Sequence, residues 1–182
     1  LEGGSHVFRL SSPDYVGKTI DVFLKPAEER TESVTLVNAI TATPSPYGTS
    51  VAVAAGTGAD AILAKVYKAS DPAEKVTLLQ QALAEYGDTP VALLGNDMLM
   101  KLHLTQKNYA EAAAAGAKVL ERDPRNVSAH INLGRAALGQ GDMGGALTHA
   151  EHVSKLIAEG KTLPPPEGVA PDDWKNEGER ML

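Results

Sequence analysis

With 182 residues, the chain is long enough for one or two small domains that each bury a hydrophobic core. It has 17 Lys and Arg against 23 Asp and Glu, a formal net charge of −6, so we expect neither nucleic acid nor an anionic membrane as its partner. The absence of Cys excludes disulfides and thiolate chemistry, and no stretch approaches the roughly 20 apolar residues that membrane insertion requires.

We predict that residues 1–56 are a β-rich N-terminal arm and linker. Apolar residues such as Phe8 and Ile20 alternate with their neighbours, and many are β-branched, which favours strands. We predict a hairpin in which Val7–Leu10 pairs with Lys18–Lys25. Because a lone hairpin is marginal in water, these strands need a partner sheet or must pack on the helices.

Three short segments of this arm are Phe8-Arg9-Leu10, Tyr15-Val16-Gly17 and the run from Ile20 to Pro26. Together they resemble the last two strands of a carboxypeptidase regulatory-like or related immunoglobulin-like β-sandwich, as found in bacterial envelope proteins. The resemblance implies that most of such a domain lies upstream, and it favours the bacterial cell envelope, periplasmic or secreted, over the cytoplasm. The alternative is an extended arm that lies on the helices.

The segment between the arm and the helices has mixed signals. Val34–Val37 has the composition of another strand. Thr43–Gly48 must be non-helical, because its two prolines fix the backbone and remove amide donors. Val51–Gly58 is small and apolar, so we expect it either to lie against the rest of the protein or to serve as a linker.

Helical periodicity begins near Ala59. Asp71 and Pro72 form a start signal for a second helix, as N-cap and first helical residue. We interpret residues 57–88 as a degenerate helix-pair repeat. The first helix of this pair is predicted to bury one face, made of Ile62, Leu63, Val66 and Tyr67.

Residues 93–126 and 127–160 are one 34-residue unit written twice. Each unit has two apolar helical stripes separated by a turn, at Gln106–Asn108 in the first and at Gly139–Asp142 in the second. Small residues are predicted where the helices approach closely, at Ala112, Ala146 and Gly134. The shift by 34 residues aligns Leu99 with Leu133, Gln106 with Gln140, Ala112 with Ala146 and Val119 with Val153.

These units resemble the tetratricopeptide repeat. The first matches that family's pattern at Leu99, Tyr109, Ala112 and Pro124, and the second at Leu133, Gly134, Gly141 and Ala146. Asn96 and His130 replace the usual aromatic residue of the first helix. The resemblance implies a mainly α fold, a superhelix of about three antiparallel helix pairs after the short β-rich segment.

In this family the first helices of the repeats line a concave face. The resemblance therefore implies a peptide-binding groove lined by Leu94, Asp97, Lys101, Leu104, Ser128, Ile131, Arg135 and Leu138. Apolar positions beside Lys101 and Arg135 suit an extended or helical peptide that carries a carboxylate. Asp97 stands where chaperone-binding relatives carry a clamp lysine, which argues against that partner.

No set of residues predicts catalysis, a metal or a cofactor. His149 and His152 are three apart on one helix but lack further ligands, so we interpret them as a surface pair, and His103 and His130 as packing residues. We expect residues 161–182 to be a Pro-rich tail that ends in a short helix, whose Trp174 either caps the last repeat or docks on another molecule.

Our hypothesis from the sequence is a non-catalytic adaptor or assembly scaffold that binds a protein or peptide, possibly a second copy of itself, on the concave face. The alternative is a structural bacterial envelope protein whose repeats mediate self-association.

Overall fold

The structure is a computed structural model that describes residues 4–12, 15–26, 31 and 40–160. It is mainly helical with a short N-terminal strand segment, as predicted. The predicted strand Val34–Val37 and the tail 161–182 lie outside the described residues. The elements are β1 (Gly4–Ser12), β2 (Tyr15–Leu24), β3 (Ile40–Ser45), β4 (Gly48–Val53), α1 (Gly58–Lys68), α2 (Pro72–Tyr86), α3 (Val91–Thr105), α4 (Tyr109–Arg122), α5 (Val127–Gln140) and α6 (Met143–Gly160).

The helices form three successive antiparallel pairs, and each helix packs on the next. α3 also contacts α5, so the first helices of neighbouring pairs lie side by side. The main hydrophobic core runs from α1 to α5 through Val66, Leu79, Met100, Val119 and Leu133. Each pair buries its apolar stripes against the next pair, which no pair could do alone.

Local signals set the helix boundaries. Asp71 accepts a hydrogen bond from the Ala73 amide and Pro72 begins α2, which confirms the predicted start. The turn between α3 and α4 lies at residues 106–108, and α5 ends at Gly141 in the left-handed conformation, with φ of 78°. Both turns within the 34-residue units therefore lie where the sequence predicts them.

The buried face of α1 differs from the prediction at one residue. Ile62, Leu63 and Val66 are buried, but Tyr67 is 70% exposed. Tyr67 directly follows Val66 and therefore points about 100° away from it around the helix. Its assignment to the buried face is wrong.

Small residues lie where helices approach each other, as at Ala112, which is fully buried. At Gly134 an added Cβ would lie 3.6 Å from the His149 Cβ and 3.7 Å from the Ala146 carbonyl oxygen, so α5 and α6 approach there to the contact distance of a methyl group. At Gly116 an added Cβ would lie 2.7 Å from Leu133 Cδ2. Gly116 in α4 is the position that lets α5 pack closely.

The predicted hairpin of the N-terminal arm is present. β1 pairs with β2 in antiparallel register, with Phe8 opposite Ile20 and Leu10 opposite Lys18. Its two strands are longer than predicted. The resemblance of this arm to a β-sandwich stays a prediction.

A second hairpin, β3–β4, packs across the helix array. Thr43–Gly48 is non-helical, as predicted, and Val51 belongs to a strand that lies against the helices. Near one end of the hairpin, Ile40 packs with residues of the first three helices, including Val91. At its tip, Tyr47 packs with Val127 of α5 and with the last turns of α6. The hairpin therefore reaches from the first helix pair to the last.

No helix in the described ranges has both the length and the apolar character needed to cross a membrane.

Three histidines meet between α5 and α6. His130 is buried, and its Nδ1 lies 3.1 Å from Nδ1 of His149, while its ring stacks on that of His152 at 5.1 Å between centroids. The packing role of His130 is confirmed, but His149 and His152 are not a mere surface pair. Burial lowers the pKa of both His130 and His149. At His130 the hydrogen bond to the Pro124 carbonyl raises the pKa and the nearby His152 lowers it, and at His149 both His130 and His152 lower the pKa further. Asp142 opposes this effect at His149.

Replacing Gly116 with Ala is expected to destabilise the fold. The new methyl group would meet Leu133 Cδ2 at 2.7 Å and Met100 Sδ at 2.8 Å, and both side chains are buried. Overpacking of this kind costs about 1–3 kcal/mol of unfolding free energy. Gly144→Ala is the matched control, because the nearest atom to its Cβ is Asp142 Oδ1 at 3.6 Å. Urea unfolding followed by circular dichroism measures both variants; equal stability would contradict the close packing of α4 on α5.

The histidine contacts predict a loss of stability in mild acid. Since the pKa values of His130 and His149 are lowered from 6.5 in the folded chain, the unfolded chain binds protons more readily. The unfolding free energy is therefore highest above pH 6.5 and decreases as the pH falls through 6.5 towards the lowered values. The variant His149→Gln should lose less stability than the parent between about pH 7.5 and 5. Urea unfolding at several pH values tests this, and parallel pH profiles would contradict it.

Candidate peptide-binding groove

The first helices of the second and third pairs, α3 and α5, border three adjoining cavities. Lys101 lines all three. Seven of the eight residues predicted for the concave face line at least one cavity: Leu94, Asp97, Lys101, Leu104, Ser128, Ile131 and Arg135. They come together because residues three, four and seven apart share one face of a helix.

The first cavity, about 190 Å³, lies between the β3–β4 hairpin and the helices. Leu93, Leu94, Asp97 and Lys101 of α3 line one wall, and the hairpin lines the opposite wall from Ser45 to Val51. Asn126 and Ser128 lie at the start of α5. This cavity offers apolar side chains and backbone polar groups at the same place.

The second and third cavities, about 440 Å³ and 460 Å³, continue along α5. Asn132 and Arg135 line both. Ile131 adds an apolar surface to the second, and Leu104 and Tyr109 add apolar surface to the third. The arrangement suits a chain whose apolar side chains alternate with a polar or charged one.

The charges of the groove are unevenly paired. Lys101 Nζ lies 2.7 Å from Asp97 Oδ2, one turn earlier on α3. Arg135 donates only a long hydrogen bond, 3.4 Å, to Asn132 Oδ1, and no carboxylate pairs with it in the part of the chain that the structure describes. The groove therefore has a cationic side chain available to a ligand, in a protein with net charge −6.

The hairpin wall was not predicted from the sequence. The Val127 amide donates to the Tyr47 carbonyl at 2.9 Å, and the Thr49 amide donates to Asp123 Oδ2 at 2.6 Å. Asp123 also accepts a hydrogen bond from the side-chain amide of Asn126, so two donors satisfy its buried carboxylate. The only signal in the sequence was an aromatic residue in a proline-rich turn, Pro46-Tyr47-Gly48.

Leu138, the eighth residue predicted for the groove, lines none of these cavities. It is 52% exposed in the last turn of α5. Met143 and Leu147 of the same helix pair are 70% and 62% exposed. The structure thus leaves three large apolar side chains exposed in the last helix pair.

Among the residues that the structure describes, no group of three or more His, Asp or Glu is placed to hold a metal ion. The three clustered histidines are held by contacts within the protein, since His130 Nε2 lies 3.2 Å from the Pro124 carbonyl and His152 Nδ1 lies 2.8 Å from that of Thr148.

Residues 103–158 match the family model of the tetratricopeptide repeat, a range that covers the end of α3, all of α4 and α5, and most of α6. No curated protein matches significantly, and no solved structure does either. Tetratricopeptide repeats serve protein–protein interaction and are typically non-catalytic. The matched range and the stacked helix pairs around it support a tetratricopeptide-repeat domain in the helical part of the chain.

Proposed function

We propose that this protein is a non-catalytic adaptor or assembly scaffold that binds a peptide segment of a partner protein in the groove between α3 and α5. The three adjoining cavities support this proposal, because they give a continuous site for several side chains. Leu94, Ile131 and Leu104 provide apolar contacts along it. In this reading residues 57–88 form a degenerate first repeat, followed by repeats at 93–126 and 127–160.

The observation that carries the proposal is that the Arg135 guanidinium lacks a carboxylate partner among the described residues. This guanidinium borders two cavities. Lys101 lies beside the same cavities, and its ammonium is paired with the Asp97 carboxylate. A peptide with an acidic side chain or a terminal carboxylate would complete the pairing with charge-assisted hydrogen bonds.

The variant Arg135→Glu should lose peptide binding. Hydrogen bonds to charged groups contribute about 1.5–3 kcal/mol, so we expect affinity to fall about 10- to 100-fold. The binding partner can be an acidic peptide selected from a random display library on the immobilised chain, with affinity measured by calorimetry.

Lys118→Glu is the matched control, because it makes the same charge change at an exposed position of α4 away from the cavities. Equal loss in both variants would indicate a general charge effect, and no loss at Arg135→Glu would contradict the proposed site.

A second candidate function is self-association, as expected of a structural envelope protein. The supporting observation is the exposure of Met143 and Leu147 in α6. In the preceding unit their counterparts are Tyr109, which lies against Gly139 of α5, and Ala113, which packs on the main core. The same face of α6 is therefore shaped to receive a helix, and a second copy could supply it.

The variant Leu147→Glu tests self-association. If copies associate through this face, light scattering coupled to size exclusion should show a concentration-dependent dimer for the parent chain and a monomer for the variant, because a carboxylate cannot be buried there without a partner. Lys118→Glu serves again as control. A parent chain that stays monomeric at high concentration would leave only the adaptor function.

A further inference from the structure

The β4 strand forms a wall of the groove and has a backbone edge that faces away from β3. The pairing register is constant from Ser45 opposite Gly48 to Ile40 opposite Val53. In an antiparallel pair, alternate residues exchange hydrogen bonds, and the residues between them direct their amide and carbonyl groups outward. Ser45 and Gly48 close the two-residue turn and are a bonded pair, so Thr49 and Val51 direct their backbone groups outward.

Two observations agree with this alternation of inward and outward backbone groups along β4. The Thr49 amide donates to Asp123 on the helix array, which it can reach only if it points away from β3. Opposite Thr49 stands Pro44, which has no amide and suits a position without a ladder bond. The next outward residue along β4 is Val51, and no hydrogen-bond partner for its amide or carbonyl occurs within the described ranges.

The two edges of the hairpin differ in their fitness for a new strand. The outer edge of β3 contains Pro44, and prolines on edge strands prevent pairing with other chains. β4 contains no proline, and Val51 lines the first cavity beside Leu93, Leu94 and Lys101. An added strand at β4 would thus have apolar side chains and a cation within reach, which the outer edge of β3 does not offer.

We infer that the segment bound by this protein is extended and pairs with the β4 edge at Val51, as a third strand over the first cavity. This inference rests on the proposed function and specifies the form of its ligand: a β-strand of a partner protein that carries an acidic side chain. Val51 would donate one hydrogen bond to the partner's backbone and accept another. Side chains on one face of the partner strand would enter the first cavity.

The position of Arg135 adds a spacing to this ligand. Ser128, which lines the first cavity together with Val51, and Arg135, which lines the second, are seven positions apart on α5, which is about 10 Å along the helix axis. An extended chain covers that distance in about three residues. The acidic residue that meets Arg135 therefore follows or precedes the paired residue by about three positions.

Amide hydrogen exchange measured by NMR tests the pairing without altering the chain. The probe is the tightest binder selected from a random dodecapeptide display library on the full chain. Saturating peptide should slow exchange at the Val51 amide about tenfold or more, since a new hydrogen bond must open before exchange occurs. The Ala42 amide is the matched control: it is opposite Val51, faces outward on the β3 edge, and should not change.

Synthetic versions of the same peptide, methylated at one backbone nitrogen at a time, provide a second measurement. Methylation removes a donor, so one position should weaken binding about tenfold, while its two neighbours, whose amides face away from β4, should tolerate the change. Uniform tolerance would overturn the pairing.

The outcomes separate this inference from the proposed function. If binding falls in Arg135→Glu but Val51 exchange is unchanged, the groove binds its peptide without strand pairing, and only the inference is overturned. If no peptide is selected, or binding ignores Arg135, both are overturned. Slower exchange of the Ala42 amide instead of the Val51 amide would place the ligand on the β3 edge and overturn the inference. Slower exchange of the Val51 amide that appears with rising protein concentration alone would identify the bound strand as one from a second copy of this chain, and would overturn a partner protein as its source.

Discussion

The groove of this protein depends on the docking of the β3–β4 hairpin on the helix array. Tyr47 is the anchor: its ring packs against Val127 and the end of α6, and its carbonyl accepts the amide of Val127 at 2.9 Å. That amide lies in the first turn of α5, where no helical carbonyl is available to it, so the hairpin tip satisfies a donor that would otherwise need water. In the opposite direction, the Thr49 amide of the hairpin donates a hydrogen bond to the buried carboxylate of Asp123 on the helix array.

The helix array provides the surface on which the hairpin docks. Amphipathic helices bury their stripes only by stacking, and the close contact of Gly116 with Leu133 sets the distance between the second and third pairs. Asn96, which replaces the usual aromatic residue, is buried but satisfied, because its side-chain amide donates to the Ala92 carbonyl at 2.7 Å. This departure from the family pattern is therefore accommodated within α3 itself.

The helical units were predictable from the sequence because their signals are local and repeated. The 34-residue period and the turn at Gly141 fix the pairs, and helix geometry then brings Lys101 and Arg135 to one face. The hairpin wall was not predictable in this way. Thr49 and Asp123 are 74 positions apart, and nothing in either local pattern indicates the other. The sequence predicts only that Thr43–Gly48 is non-helical and that the apolar segment from Val51 either packs on the rest of the protein or serves as a linker.

The same limit explains the histidines. His149 and His152 share a helix face, so their proximity follows from spacing. The third ring, His130, lies on the neighbouring helix, and the sequence indicates only a packing role for it, because the angle between α5 and α6 decides which of its neighbours it meets.

The reach of the hairpin has a mechanical consequence. Ile40 packs with Ala59 and Val91 near the start of the array, while an added Cβ on Gly160, the last residue of α6, would meet the ring of Tyr47. Helical repeat arrays of this kind are elastic, since each repeat contacts only its neighbours and small rotations accumulate along the stack. Here the β3–β4 hairpin packs on both ends of the helix array, so the pitch of the array cannot change unless the hairpin detaches. The width of the groove is thereby set before any ligand arrives.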